Sequence, residues 1–261
     1  MIYPDELKLK QNLITDTHAH YDDKKFDGIR DELLLSLHEN GVDRIITCAV
    51  DGASAKVALA LADKYSFIYA AVGIHPENLE SKTSTEEIRA LAAHGKCVAI
   101  GEIGLDYYYS SDNKEEQKKV FEEQVVLANE LSLPVIVHDR EAHADTLEII
   151  KKYRPKGVLH CFSGSPEMAA EAVKAGMYIG VGGVVTFKNA KKMPDVIKAV
   201  PKERLLLETD CPYLAPEPYR GALCHSGYIT LTAKKVAEIL TESTEEVLKL
   251  TSENAQNLFT F

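Results

Sequence analysis

Eight strongly apolar segments recur along the chain, most of them followed by a stretch with helical spacing. This alternation limits the fold more than any other feature. The segments are "NLITDTHAH", "RIITCAV", "FIYAAVGIHP", "CVAIGEIGLD", "LPVIVHDR", "GVLHCFSG", "MYIGVGGV" and "RLLLETDCP". Most are apolar nearly throughout, the pattern of parallel strands covered on both faces. The intervening stretches carry helix punctuation. "IRDELLLSLHENG" stops at Gly41, "STEEIRALAAHG" pairs Ser84 with Glu87 at capping-box spacing and stops at Gly95, and "PEMAAEAVKAG" opens on Pro166 and stops at Gly176. A stripe of Val120, Phe121, Gln124, Val125, Ala128 and Leu131 predicts a helix over about 114–131. Two closing helices are expected at about 230–240 and 244–258, the second with Ser243 and Glu246 as a capping box. The pattern predicts an α/β chain folded as a single (β/α)8 TIM barrel spanning residues 1–261. A doubly wound open sheet would want a glycine-rich phosphate loop after the first strand, and "DTHAHYDD" offers none.

A (β/α)8 barrel places its active site at the carboxyl ends of its strands. His18 and His20 end the first segment, and Asp16 shares their face by alternation. His75 ends the third segment, Glu102 lies late in the fourth, His138 ends the fifth, His160 is late in the sixth and Asp210 ends the eighth. Five of the nine histidines therefore occupy strand ends, which scatter would not produce. A lone strand histidine is ordinarily a hydrogen-bonded core residue, and an aspartate before "CP" is ordinarily turn chemistry. Glu102 resists that reading, because a carboxylate in a buried strand costs several kcal/mol unless it is paired or metal-bound.

His18, His20, Glu102, His138, His160 and Asp210 exceed what one tetrahedral zinc with an open position requires. Two divalent ions sharing a bridging group use such a set, and Glu102, between the two histidine groups, is the expected bridge. Imidazole-rich ligation suits zinc or manganese better than magnesium, without settling which of the three is used. Asp210, at the rim, is the expected general base, and Glu208, one layer deeper, is expected to orient a ligand.

The formal net charge of -10 disfavours loose, sequence-independent nucleic-acid binding, but leaves a confined site where bound metal supplies positive charge. Five cysteines without CxxC spacing argue against a disulfide framework. No apolar run reaches bilayer length, and "MIYPDELKLKQNLITD" lacks the order of a secretory signal. A cytoplasmic protein with no membrane partner and no obligate protein partner is expected.

The motifs "DTHAH", "GIHP", "GEIGLDYY", "VHDR", "HCFSG" and "LLLETDCPYLAP", in this order, resemble the TatD family of metal-dependent hydrolases, from about residue 13 to the closing "ENAQNLF". The resemblance implies a metal-dependent hydrolase on a TIM barrel, usually described as a deoxyribonuclease with 3′-5′ exonuclease-type activity. It maps the metal ligands onto His18, His20, Glu102, His138, His160 and Asp210, the set already reached from strand ends. One loop departs: where the family carries a basic pair and Asn-Glu-Pro after "RG", this chain has "RGALCHSGY", which puts substrate contacts there in doubt.

DNA or another phosphodiester is thus the expected substrate. His75, Arg140, Tyr107 and Arg220 are the candidate contacts, with Arg140 either holding a phosphate or pairing with Asp210. Tyr107, Tyr108 and Tyr109 follow the fourth strand, where rings could stack on bases. Lys188, Lys191 and Lys192 follow the seventh, where barrels often bind phosphate. The nearest rival is a binuclear amidohydrolase-like enzyme opening a cyclic amide or an ester. A non-catalytic metal-binding interaction barrel is more distant, since it predicts a broken ligand set.

Overall fold

The computed structural model describes residues 4, 7–109 and 111–261. Its strands are β1 (Ile14–Ala19), β2 (Val42–Cys48), β3 (Ile68–Val72), β4 (Cys97–Asp106), β5 (Val135–Arg140), β6 (Gly157–Leu159), β7 (Met177–Val181) and β8 (Leu205–Leu207). All neighbouring pairs are parallel and the order follows the chain from β1 to β8. The ring is drawn together beyond the last ladder. Thr17 donates its hydroxyl to the Leu207 carbonyl, Ala19 bridges Cys211, and the His20 N–H reaches the Cys211 carbonyl at 2.7 Å. This is the nearly closed (β/α)8 barrel that the alternation predicts.

The helices are α1 (Arg30–Glu39), α2 (Gly52–Lys64), α3 (Thr85–Ala92), α4 (Lys114–Leu131), α5 (His143–Tyr153), α6 (Pro166–Lys174), α7 (Met193–Ala199), α8 (Ile229–Leu240) and α9 (Thr244–Leu258). Local chemistry sets their ends. Ser165 and Ser243 accept from the third helical N–H, and Ser243 with Glu246 forms the complete capping box. At α3 only half of that motif forms. Ser84 accepts from the Glu87 N–H, but the Glu87 carboxylate is drawn to Lys56 at 2.8 Å. The same helix ends at Ala92, short of Gly95.

The barrel interior and the strand–helix layer carry the buried apolar residues, among them Ile45, Ile46, Ile100, Ile136 and Leu206. Each such side chain contributes roughly 1.5–3 kcal/mol on burial. β6 and β8 are only three residues long, so His160 and Asp210 stand in the loops just past them. At that rim they meet His18, Glu102 and His138, which the strands themselves carry. Among the described residues, no helix is long and apolar enough to cross a membrane.

Candidate metal centre

β1 carries His18 on its inward face, fully buried, and His20 follows immediately after the strand. Their Nε2 atoms lie 3.1 Å apart. The Nδ1 of His20 is 2.8 Å from the Cys48 carbonyl, which can only accept, so in the neutral ring that nitrogen carries the proton and the Nε2 lone pair is left for a metal. Asp210 reaches the same point from the β8 side, with Oδ1 at 3.3 Å from His20 Nε2 and 3.6 Å from His18 Nε2. Its φ of 62° is left-handed, a conformation aspartate tolerates better than most residues.

Glu102 stands between two histidine groups. Its Oε2 lies 3.4 Å from His18 Nε2 and 3.5 Å from His20 Nε2. Its Oε1 lies 2.8 Å from His160 Nε2 and 3.0 Å from His138 Nδ1. Ligand atoms about 2.0–2.1 Å from a shared tetrahedral ion stand roughly 3.3 Å apart. The spacing of these nitrogens and oxygens therefore fits divalent cations, and the donor set is one that zinc and similar ions favour. His18 and His160 stack face to face, with centroids 3.8 Å apart, which fixes both rings.

The charges follow from that crowding. Burial lowers His18 to a pKa of about 4, helped by the neighbouring His160. Burial also opposes charge on His20, but the Asp210 hydrogen bond and the Glu102 charge override it and lift it to about 10. His138 is likewise raised to about 10 against burial, by Asp106 and Glu102. Burial works against ionised Glu102, yet the imidazoles of His160, His75 and His18 hold it well below the carboxylate range.

His75 lies past β3, where its Nδ1 accepts the Glu77 N–H at 3.2 Å. In the neutral ring the proton then sits on Nε2, 3.5 Å from Glu102 Oε1. His75 thus presents a donor to the site instead of a lone pair. Glu208 accepts the Cys161 N–H and lies 3.7 Å from His160 Nδ1, with burial raising it to about 7. Gly180 makes room for it, because a Cβ there would come 2.5 Å from Glu208 Oε2.

A cavity of about 800 Å³ opens above these residues. Arg140 lines it, with its guanidinium over the rings of Tyr108 and Tyr109 at 4.3 and 4.6 Å. No ion pair joins Arg140 to Asp210 among the described residues, so that half of its expected role has no geometric support. Tyr109 and Tyr213 also line the cavity and are largely exposed.

Several expected contacts lie elsewhere. Tyr107 turns away and donates its hydroxyl to Asp145 at 2.6 Å, beside a separate small cleft. Arg220 covers the Phe187 ring at 4.3 Å and is not on the cavity wall. Lys188, Lys191 and Lys192 are exposed and off that wall. Asp16 sits a layer below the histidines and binds Thr209 and the His18 N–H instead of joining them. Asp106 escaped the sequence reading, although the "GLD" of "GEIGLDYY" ends a strand on the site side. It lies 3.0 Å from His138 Nε2.

The family model described as TatD related DNase matches residues 15–260. YabD of Bacillus subtilis (strain 168), described as an uncharacterized metal-dependent hydrolase, is 41% identical over 254 residues, covering 95% of this chain and 99% of that protein. YcfH of Escherichia coli (strain K12), with the same description, is 34% identical over 252 residues, covering 94% and 95%. The crystal structure of YjjV, a TatD homolog from Escherichia coli K12, superposes with a TM-score of 0.90 at 33% identity, covering 96% of this chain and 99% of that one. With this match over nearly its whole length, and a barrel whose strand ends gather the imidazoles and carboxylates a metal requires, the chain belongs to the TatD family of metal-dependent hydrolases.

Proposed function

We propose that the protein is a two-metal phosphodiesterase that cleaves DNA, working from a 3′ end. The observation that supports this reading is the position of Glu102, whose two oxygens face different histidine groups at 2.8–3.5 Å. His18, His20 and Asp210 would hold one ion and His138 and His160 the other, with Glu102 shared. Zinc, manganese or magnesium, when bound, supplies an ionised water near neutral pH and neutralises charge on the phosphate.

The protein's own groups complete the arrangement. The His75 Nε2–H points at the Glu102 side of the site, 3.5 Å from Oε1, and the Arg140 guanidinium lines the cavity, so both can donate to the oxygens of a phosphate bound there. Asp210 is the rim carboxylate placed to accept the proton of the attacking water. The Tyr109 ring, steadied by Arg140, offers a face on which a base stacks.

One observation favours a second reading. The cavity wall carries Asp22, Asp23, Glu77 and Asp139, against Arg140 as its one lysine or arginine among the described residues. Such a rim repels a long polyanion and suits a small ester or cyclic amide. Turnover of single-stranded DNA, simple phosphodiesters and cyclic amides, each with added zinc, manganese or magnesium, separates the two. Cleavage of the DNA with shortening from the 3′ end is the expected result. Hydrolysis of the amides alone overturns it.

A further inference from the structure

We propose that Asp106 is a positioning residue that dictates which ring nitrogen of His138 faces the metal group. The inference rests on the reading of His138 as a ligand and adds a residue to it. His138 Nε2 lies 3.0 Å from Asp106 Oδ2, while its Nδ1 lies 3.0 Å from Glu102 Oε1 and 3.3 Å from His160 Nε2. A carboxylate only accepts, so once the ring gives up its second proton to an ion shared with Glu102, Asp106 would keep the remaining proton on Nε2 and leave the Nδ1 lone pair for that ion. His20 solves the same problem the other way round, with Nδ1 tied to a carbonyl and Nε2 presented.

Asp106 is itself immobilised. It is fully buried, and its Oδ1 accepts the Tyr108 N–H at 2.9 Å and the Tyr109 N–H at 2.8 Å. The side-chain amide of Gln117, on α4, grips its backbone N–H and carbonyl at 2.9 and 3.0 Å. One carboxylate therefore sets the ring of His138 and seats the two tyrosines that stack on Arg140.

Asp106→Asn tests the assignment because an amide cannot satisfy all three donors. If its oxygen keeps the two tyrosine N–H groups, its NH2 meets His138 Nε2. The ring must then accept, and the proton moves to Nδ1, where the ion would bind. Zinc titration against a chromophoric chelator is expected to show two equivalents in the unaltered protein. In Asp106→Asn one of them should weaken 10–100-fold while the other holds. In the zinc-loaded, unaltered protein labelled with ¹⁵N-histidine, long-range ¹H–¹⁵N spectra should place the His138 proton on Nε2. This second measurement needs no variant to fold. Unchanged zinc affinity in Asp106→Asn, or a His138 proton on Nδ1, overturns the proposal. His138→Ala separates the two layers: if it titrates like the unaltered protein, the ligand reading has failed, whereas loss of one equivalent there with an unaffected Asp106→Asn sinks Asp106 alone.

Discussion

Asp16 accepts both the backbone N–H and the hydroxyl of Thr209, at 3.1 and 2.7 Å, across the seam where the barrel closes. Because Thr209 precedes Asp210 and the His18 N–H also points to Asp16, one buried carboxylate registers the two arms of the candidate metal centre against each other. The sequence groups Asp16 with the histidines by parity. The structure makes it their foundation.

Thr209→Val removes one of the donors that steady this carboxylate. Burial already raises Asp16 to about 6, with the Thr209 hydroxyl opposing the rise. A folded pKa above the unfolded value means that stability present below about pH 4 is lost as pH rises through 6. The variant should therefore lose little at pH 4 and about 1–3 kcal/mol at pH 8. Urea unfolding of both proteins at the two pH values measures the difference, and an equal loss at both would contradict it.

Glu102→Gln keeps the shape of the bridge and removes its charge. Several kcal/mol of electrostatic stabilisation converts to a fall in turnover of at least about 100-fold. Bound metal per chain, read by elemental analysis after dialysis, should fall with it. Full metal content with full turnover would leave Glu102 without a bridging role.

Metal loading should release protons. His20 and His138, raised to about 10, are charged at pH 7 in the metal-free protein and must each lose a proton to coordinate. Apparent metal affinity should then climb from pH 6 towards pH 10. In the metal-free protein the sign for stability is the reverse, since the contribution present below about pH 6.5 is lost as pH rises through 10. Calorimetric titrations in two buffers of different ionisation enthalpy count the protons, and buffer-independent heats would refute the scheme.

Tyr109→Ala should weaken substrate binding more than chemistry. Base stacking on an aromatic ring contributes roughly 1–3 kcal/mol, so KM for single-stranded DNA should rise about 5- to 150-fold with kcat nearly constant. Tyr107→Ala, whose ring is engaged with Asp145, should leave KM within about twofold. The comparison is internal, and equal effects at the two tyrosines would discard the stacking role.

The alternation of apolar strands with punctuated helices is enough to predict the barrel, because the burial of most strands and the caps of several helices are written in adjacent residues. The helix over 114–131 and the Ser243–Glu246 box appear where that spacing puts them. Strand-end position also predicts that His18, His20, Glu102, His138, His160 and Asp210 converge, as their side chains do, since parity fixes the face and barrel polarity the end at which a residue stands. What lay beyond reach was anything set by a loop's path or a ring's second nitrogen. Tyr107 and Tyr109 are two residues apart in one turn, yet one binds Asp145 and the other faces the cavity. Asp106 gains its importance from a partner 32 residues away, at 3.0 Å. Sequence distance carries no record of such contacts. They exist only when closure of the ring brings separate strand ends within hydrogen-bonding reach, and burial there leaves each polar atom few alternatives.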